Sequence, residues 1–436
     1  MLNRLKLSKA VLVVLLVVTA AAPMAFVQFN EPTTSLQVYK GLAKTGALCG
    51  SMLLIWQFLL GFRQAVGRVM RDLPWALGLH KTIGRYALCL VALHPIFITL
   101  YYVEKKGLNP LFLQGPPSLW GFVLLGEIAL ALFILVVVTT IFLRRYLEKF
   151  TWYVLHLTAY LALPLVFVHS LSIGMTLGQT SLGTVWVGLA VLLACFYVFR
   201  LLAALGFLSK KHVVAAVDSV GPDVVQITCE PLQSPVEPEL GQFIYFRRGF
   251  WGPTRPFTVS HYEPETGRIS VTVKALGKGT TALQSIEPGE TVYLDGPYGI
   301  FAHVALKSER PLVMIAGGIG ITPFRRIFQE LAYEPGREVH LFYGNRRRQE
   351  VVYEEEINDV ATVETIDVTH VISDDPHYPG ETGFITVDLM RKYLERELPQ
   401  YEFLICGPPV MTQKLKIALP DAGVPNQQIH YELFSY

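Results

Sequence analysis

The sequence has little charge and few cysteines. Only 17% of its 436 residues are charged, and a net charge of +2 gives no reason to expect nucleic acid binding. The five cysteines occur singly and without C-x-x-C spacing, so neither a zinc site nor a disulfide framework is predicted. No low-complexity tract, short repeat or EF-hand calcium loop is visible. A hydrophobic content of 52% is too high for an ordinary soluble enzyme, and the length suggests two or three domains.

The apolar residues are concentrated in the first half of the chain. Residues 1–208 contain six apolar stretches, each close to the ~20 residues that a helix needs to cross hydrocarbon. These stretches are residues 11–29, 45–62, 83–103, 119–143, 151–170 and 183–207. We therefore expect an all-α bundle of six transmembrane helices.

Basic residues lie mainly in alternate loops between these stretches. They are Arg4, Lys6, Lys9, Arg63, Arg68, Arg71, Lys81, Arg85, Arg144, Arg145, Lys149, Lys210 and Lys211. The positive-inside rule then places the N-terminus and everything after residue 208 in the cytoplasm. We expect the protein to lie in the plasma membrane or inner membrane. The first stretch is followed by Ala20, Ala21 and Ala22, so a cleaved signal peptide is an alternative to the retained helix that we favour.

Four histidines lie in the apolar half, as two pairs. His80 and His94 are fourteen residues apart around the third stretch, and His156 and His169 are thirteen residues apart in the fifth. The predicted topology makes these two helices run in the same direction, which gives His80 and His156 one level and His94 and His169 another, ~21 Å away. Neutral imidazole is a good iron ligand, so we favour two stacked haems over histidines that only pack or hydrogen-bond.

The two pairs differ in helical phase. Fourteen residues return to within ~40° of the same helix face, whereas thirteen residues end ~140° away. Pro164 lies between His156 and His169 and lacks a backbone donor. We therefore expect a distortion of the fifth helix between its two histidines.

The second half of the chain has two patterns. Six short strands separated by Gly- and Pro-containing turns predict an antiparallel β-barrel: residues 212–217, 224–229, 243–247, 256–260, 269–274 and 291–294. Strands then alternate with helices, which predicts a parallel α/β sheet. Its strands are residues 311–316, 339–343, 369–373 and 402–406, and its helices include residues 322–333 and 351–360.

Four short motifs lie at strand ends in this half. They are Arg255–Ser260 (RPFTVS), Gly277–Thr280 (GKGT), Gly317–Pro323 (GGIGITP) and Cys406–Pro409 (CGPP). A cation, an aromatic ring and hydroxyls on one strand suit a flavin and its pyrophosphate. Glycine-rich turns that open a helix suit phosphate, because backbone N–H groups point at it. Each motif alone is weak, since glycine turns and surface strands are common.

Taken together, the order of these features resembles the NADPH oxidase and ferric reductase family over nearly the whole chain. Six membrane helices with paired histidines on the third and fifth precede a ferredoxin–NADP reductase-like module. The resemblance implies a di-haem transmembrane domain over 1–208, an FAD-binding β-barrel over 209–308 and an NAD(P)H-binding α/β domain over 309–436.

The resemblance also implies roles for individual residues. His80, His94, His156 and His169 would be haem iron ligands. FAD would contact Arg255, Pro256, Phe257, Thr258, Ser260, Lys274, Gly279 and Thr280, and the dinucleotide would contact Gly317, Gly318, Gly320, Thr322, Pro323, Cys406, Gly407 and Pro408. Thr258, Cys406 and Phe434 would lie at the site of hydride transfer, with Tyr436 as the alternative to Phe434 for the aromatic that covers the flavin. Gly296–Gly299 would close the flavin domain.

Two arginines bear on the choice of nucleotide. Arg346 and Arg347 follow a predicted strand, where the family reads the adenosine ribose. Two guanidiniums there favour a 2′-phosphate, so we expect NADPH rather than NADH. A solvated basic turn is the alternative reading.

The expected function is transfer of electrons from cytosolic NADPH through FAD and two b-type haems to an acceptor outside the cytoplasm. Molecular oxygen is the favoured acceptor. However, animal NADPH oxidases usually carry a second histidine one turn beyond the outer ligand of helix three, and this chain has Ile98 there. A ferric-chelate or quinone reductase therefore stays open, as do a haem-delivering partner protein and a transporter or sensor regulated by a nucleotide domain. The lipid bilayer is an expected partner, and no protein partner is indicated.

Overall fold

The computed structural model describes residues 2–70, 72–250, 252–333 and 336–432, except for the side chains of residues 2–7, 68, 332 and 333. The chain divides into two compact units, Met1–Leu201 and Leu202–Tyr436. The order of six apolar helices, a closed antiparallel barrel and a parallel sheet confirms the predicted fold class.

The first unit is helical. Its α-helices are Leu2–Ala21, Thr34–Lys44, Gly50–Leu60, Arg63–Val69, Leu73–Lys106, Pro117–Ile141, Lys149–Leu157, Ala159–Ile173, Met175–Gln179 and Leu182–Ala204. Short 3-10 turns cover Ala22–Phe26 and Pro110–Phe112, and a π turn covers Thr45–Cys49. Six segments are long and apolar enough to cross a membrane: Ser8–Phe26, Thr34–Leu60, Leu73–Lys106, Pro117–Ile141, Lys149–Ile173 and Leu182–Ala204. We number these helices one to six, and the chain is an integral membrane protein.

Local sequence sets the ends of helix three. The Asp72 carboxylate accepts a hydrogen bond from the Trp75 amide at 3.1 Å and so caps the first turn. Gly107 follows the last residue, with φ of 67° in the left-handed region that glycine tolerates best. Helix three therefore covers both histidines of its pair without interruption.

Helix five is broken between its two histidines. The segment Lys149–Leu157 ends at Thr158 and a second helix begins at Ala159, so the interruption lies six residues before Pro164. Pro164 cannot donate to the carbonyl of Tyr160, four residues earlier. The Tyr197 hydroxyl of helix six donates to that carbonyl instead, at 2.5 Å. A distortion between His156 and His169 is thus present, and a neighbouring helix satisfies the carbonyl that Pro164 leaves free.

A buried carboxylate ties the segment after helix one to helices two and three. Glu31 is 9% exposed and lies 2.7 Å from the Lys105 ammonium and 2.8 Å from that of Lys40. The Tyr101 hydroxyl also donates to it at 2.9 Å. The hydrogen bond from Lys105, followed by that from Lys40, lowers the pKa of Glu31 to about 2. The carboxylate is therefore charged at physiological pH and stays paired.

The second unit begins with the barrel. Its strands are β1 Lys210–Gly221, β2 Val224–Pro231, β3 Phe243–Arg248, β4 Arg255–Glu263, β5 Arg268–Lys274 and β6 Thr291–Tyr298. They pair in the order β1-β2-β5-β4-β3-β6, and β1 closes onto β6 with Lys210 opposite Leu294. The interior holds alternate apolar side chains such as Ile227, Ile244 and Val259, each fully buried.

A six-stranded parallel sheet follows. Its strands are β7 Leu312–Gly317, β8 Val339–Asn345, β9 Ile366–Ile372, β10 Glu381–Thr382, β11 Glu402–Cys406 and β12 Ile429–Glu432, in the order β10-β9-β8-β7-β11-β12. The α-helices of this unit are Lys278–Thr281, Thr322–Tyr333, Glu354–Val360, Val387–Tyr393 and Pro409–Asp421. Short 3-10 turns are Ala305–Lys307, Gly318–Ile321, Arg348–Glu350, Leu398–Gln400 and Asn426–Gln428. Strands β10 and β12 were not predicted from the sequence. Strands β7 and β11 are adjacent, so the two glycine motifs that follow them meet at one edge.

Candidate functional site

The four membrane histidines form two ring pairs. The ring centres of His80 and His156 are 6.2 Å apart with 64° between their planes. Those of His94 and His169 are 6.1 Å apart with 77° between their planes. The pairs combine the residues that the topology had assigned to each level.

Each histidine uses its Nδ1 atom in a contact with a neighbouring helix. His80 Nδ1 lies 2.8 Å from the Gln57 carbonyl, His94 Nδ1 lies 3.2 Å from that of Ala43, and His169 Nδ1 lies 2.7 Å from that of Phe122. A carbonyl oxygen can only accept, so Nδ1 of these three rings carries the proton. His156 Nδ1 lies 3.3 Å from the Thr140 hydroxyl, which can take either role. These contacts orient the rings and assign metal ligation to Nε2. In His80 that atom lies 3.2 Å from the side-chain amide nitrogen of Gln57, a contact that a bound metal would replace.

The spacing of the rings fits a metal between them. A metal–imidazole bond is ~2 Å long and the ring centre lies ~1 Å further on, so two opposed imidazoles place their centres about 6 Å apart. Within the described ranges no group of three or more His, Cys, Asp or Glu side chains could hold an ion. Two axial nitrogens suit a metal whose remaining ligands come from a macrocycle, which is the haem case.

Glycines allow other helices to approach these histidines closely. A Cβ atom at Gly126 would lie 2.6 Å from His169 Nδ1, and one at Gly46 would lie 2.5 Å from the backbone nitrogen of His94. Any side chain at either position would push its helix away. The carbonyl contacts to His169 and His94 come from these same helices, so the glycines support the orientation of both rings.

The flavin motifs come together at the start of β4. The Arg255 guanidinium lies directly against Gly279, where a Cβ atom would overlap it. Gly279 belongs to the short helix Lys278–Thr281, and the Thr280 hydroxyl accepts from the backbone amides of Leu276 and Gly277 at 2.9 and 3.1 Å. The cation and the glycine-rich turn therefore form one cradle that suits a pyrophosphate.

Thr258 and Ser260 lie on the same strand but differ in their surroundings. Thr258 is 3% exposed, and its hydroxyl has no hydrogen-bond partner among the described residues. A buried hydroxyl without a partner costs free energy, so it suits a ligand that accepts or donates there. The Ser260 hydroxyl, in contrast, donates to the Ser270 carbonyl and accepts from Thr272. It also forms a hydrogen bond with the Tyr353 side chain, which lies outside the barrel.

The other residues predicted to contact FAD pack or pair with neighbouring protein residues. Pro256 pairs with Tyr245 of β3, and the Phe257 ring packs edge-on against Phe246 at 6.2 Å. Lys274 forms an ion pair with Glu350 at 3.0 Å. The loop after β8 is thereby tied to the end of β5.

The dinucleotide motifs meet at the ends of β7 and β11. A Cβ atom at Gly407 would lie 2.9 Å from the Gly317 amide, and one at Gly320 would overlap the Cys406 carbonyl. Gly318 has φ of 53°, which permits the turn from β7 into the helix that begins at Thr322. This close backbone approach packs the start of the helix against the end of β11, and Thr322 and Pro323 are both buried there.

A buried carboxyl lies beside Cys406. Glu432 of β12 pairs with Cys406 in the sheet register, and its Oε2 atom has no hydrogen-bond partner among the described residues. Burial raises the pKa of Glu432 to about 8 and raises the pKa of the Cys406 thiol well above its usual range. Both groups are therefore neutral at neutral pH. The sequence analysis did not single out Glu432, since a lone acidic residue near a chain end gives no signal.

Two arginines and two aromatic residues remain of the predicted site residues. Arg346 and Arg347 follow β8, are exposed, and form no ion pair within the described ranges, so both guanidiniums are free to bind an anion. Phe434 and Tyr436 lie outside the described residues.

Two segments of the chain match known protein families. Residues 46–167 match the ferric reductase like transmembrane component, and residues 314–416 match the oxidoreductase NAD-binding domain. The chain therefore joins a segment that matches a ferric reductase-like transmembrane component to a segment that matches an oxidoreductase NAD-binding domain. This combination confirms the predicted resemblance to ferric reductases and NADPH oxidases.

Single relatives match less than half of the chain. A subunit of the Na(+)-translocating NADH-quinone reductase of Idiomarina loihiensis is 31% identical over 199 residues, which is 41% of this chain and 48% of the relative. Its counterpart in Klebsiella pneumoniae is 31% identical over 194 residues, 40% of this chain and 47% of the relative. The chain thus spans about half the length of the curated relatives it matches. Among solved structures, the FAD/NAD-binding domain of the nitric oxide dioxygenase of Vibrio cholerae is 22% identical with a TM-score of 0.46, and the match covers 51% of this chain and 97% of that domain.

Proposed function

We propose that the chain passes electrons from cytosolic NADPH through FAD and two b-type haems to an acceptor outside the cytoplasm, which is molecular oxygen. The observation that carries this proposal is the arrangement of the membrane histidines in two ring pairs at 6.1 and 6.2 Å. We assign one haem to His80 and His156 at the cytoplasmic level and the other to His94 and His169 at the outer level.

Each part of the chain has a defined task in this proposal. Gly317–Pro323 and Cys406–Pro408 would hold the nicotinamide dinucleotide, with Arg346 and Arg347 on its 2′-phosphate. Arg255, Gly279 and Thr280 would hold the FAD pyrophosphate, and the Thr258 hydroxyl would face the flavin ring. FAD, when bound, accepts a hydride and releases its electrons singly, and haem accepts one electron at a time.

The neutral groups at Cys406 and Glu432 suit hydride transfer. Hydride transfer would leave a positive charge on the nicotinamide and add a negative charge to the flavin, so an ionised thiolate or carboxylate beside the flavin would oppose the transfer. Burial keeps both groups protonated at neutral pH, with the pKa of Glu432 at about 8. Above pH 8 the Glu432 carboxylate would form, and we expect flavin reduction by NADPH to slow there.

The histidine pairs determine how the acceptor is reduced. His94 and His169 would both hold the iron of the haem nearest the acceptor, and that haem would supply one electron at a time to oxygen. Three of the four Nδ1 contacts are to backbone carbonyls, which fixes those rings and opposes loss of a ligand. An inside-negative membrane potential favours outward electron transfer by ~2.3 kcal/mol per charge per 100 mV.

A quinone is the second candidate acceptor. Relatives that match about two fifths of the chain are named as subunits of an NADH-quinone reductase. Ile98 also occupies the position at which animal NADPH oxidases carry their additional outer histidine. A ferric chelate is the third candidate, since residues 46–167 match the ferric reductase-like component.

Anaerobic reduction of the purified protein by NADPH tests the proposal. We expect both haem signals to become reduced and then to reoxidise when oxygen is added. Reoxidation by ferric citrate or a soluble quinone, but not by oxygen, would show that oxygen is not the acceptor. The proposed electron route through FAD and the haems would still hold. Haems that NADPH leaves oxidised would reject the route and favour a regulatory nucleotide domain.

A further inference from the structure

Arg200 is a cation inside the membrane unit that lies against aromatic rings. It belongs to helix six, four residues before the last residue Ala204, and is partly buried. Its guanidinium carbon is 5.1 Å from the centre of the Phe62 ring and 5.0 Å from that of Tyr160. Among the described residues it forms no side-chain ion pair or hydrogen bond.

These two rings border the His80–His156 pair. Phe62 follows Gly61, at which a Cβ atom would lie 3.0 Å from His80 Cε1. Tyr160 follows the break in helix five, and its ring contacts that of Phe58 at 5.1 Å, next to Gln57, whose carbonyl lies 2.8 Å from His80 Nδ1. The guanidinium of Arg200 is therefore connected through these two rings to the part of the bundle that holds the pair that we assign to the inner haem.

Among the described residues no carboxylate contacts the Arg200 guanidinium. The six membrane-spanning segments contain two acidic residues, Glu104 and Glu127. Glu104 is two residues from the outer end of helix three, and Glu127 is in the outer half of helix four. At the cytoplasmic ends, Asp72 is bound to Lys9 at 2.5 Å, and Glu148 precedes helix five with its side chain exposed.

A charge within a membrane span is costly and is normally paired with an opposite charge. The planar guanidinium matches a carboxylate, because two parallel N–H groups can bind its two oxygens. We propose that Arg200 is the ion-pair partner of a carboxylate carried by the inner haem. This inference rests on the proposed haem ligation by His80 and His156.

Such a pair changes the redox behaviour of the inner haem. Reduction adds a negative charge, which the nearby guanidinium stabilises, and loss of the guanidinium leaves the carboxylate uncompensated. Arg200→Gln should therefore make the inner haem harder to reduce. Arg200→Lys keeps the charge and should restore most of the effect.

A spectroelectrochemical titration of the full-length protein tests this. At the potential at which half of the wild-type inner haem is reduced, Arg200→Gln should lower the ratio of reduced to oxidised haem roughly tenfold, or about 59 mV for a one-electron couple. The ratio should change less than about threefold in Arg200→Lys, by the same charge argument. The inner signal is the one that His94→Leu retains.

Arg145→Gln is the matched control. Arg145 also lies over an aromatic ring, that of Tyr146 at 4.6 Å, but it is exposed and in a loop. Its replacement should leave both haem potentials unchanged. If Arg200→Gln binds both haems with wild-type potentials, Arg200 faces lipid phosphate or water and the inference is wrong.

Two further outcomes separate this inference from the function that it rests on. A wild-type protein without the inner haem would overturn both. If Arg200→Gln fails to fold, the Arg200→Lys protein provides the test. A bound inner haem with a wild-type potential supports the charge pair, and a tenfold change in the ratio of reduced to oxidised inner haem contradicts it.

Discussion

The Nδ1 contacts of the membrane histidines determine which ring nitrogen is available to a metal. His94 and His169 both contact backbone carbonyls on helices that approach them at a glycine. This arrangement presents Nε2 of each ring, so both histidines should be required for the outer haem.

His94→Leu should remove the outer haem and leave the inner one. NADPH should still reduce FAD and the inner haem, while transfer to the outer acceptor falls to background, because the last carrier is missing. The haem content per chain and the rate of acceptor reduction measure the two effects. A His94→Leu protein that retains two haems would show that His94 is not a ligand.

Arg346 and Arg347 are exposed and unpaired within the described ranges, so a 2′-phosphate can reach both. Replacing both with Ala should raise the KM for NADPH by roughly tenfold or more, since a charged hydrogen bond contributes ~1.5–3 kcal/mol. The KM for NADH should change little. Steady-state kinetics with both nucleotides give the comparison. The control is Arg391→Ala, which replaces an exposed arginine in the helix Val387–Tyr393. Equal effects on the two nucleotides would mean that these arginines do not read the 2′-phosphate.

Glu432 should make stability depend on pH. Its pKa is about 8 in the folded chain and 4.5 without burial, so the folded state holds the proton more tightly. The stability that this provides is complete below pH 4.5 and is lost as the pH rises through 8. Between pH 5 and 8 the wild type should lose stability relative to Glu432→Gln, by up to ~1.4 kcal/mol per pH unit. Thermal unfolding of both proteins, without nucleotide, measures this difference. Parallel melting temperatures across this range would show that Glu432 is ionised in the fold.

At the scale of elements, the break in helix five was only partly predictable. Pro164 indicates that a carbonyl four residues earlier loses its donor, and this follows from the sequence alone. The place of the interruption, at Thr158, and the identity of the new donor, Tyr197, depend on how helices five and six pack. Sequence periodicity carries no such information.

Tyr197→Phe should destabilise the membrane unit. The variant removes the hydroxyl that donates to the Tyr160 carbonyl at 2.5 Å and leaves that carbonyl without its donor in an apolar bundle. The expected cost is ~1–3 kcal/mol. Thermal unfolding in detergent measures it, with the exposed Tyr146→Phe as control. A Tyr197→Phe protein as stable as wild type would mean that another group satisfies the carbonyl.

The strands show the same division between local and tertiary information. The six barrel strands were predictable because alternating residues and glycine turns are local signals. Strand β12, which carries Glu432, was not predicted. Its four residues form a strand only because they pair with β11. The glycine motifs after β7 and β11 were visible in the sequence, but their contact depends on the sheet order.

For the whole molecule, the histidine pairing followed from topology and not from helix geometry. An alternation of basic loops gives helices three and five the same direction, which assigns His80 to His156 and His94 to His169. The ring pairs of the structure have these partners. The carbonyls that orient three of the rings could not be predicted, since backbone acceptors leave no mark on the sequence.

The haem content of the purified wild-type protein tests the central claim most directly. We expect two b-type haems per chain, both low-spin with two imidazole ligands, and both reduced by NADPH in the absence of oxygen. A chain with one haem or none, or a high-spin haem with an open position, would contradict the assignment of the two histidine pairs.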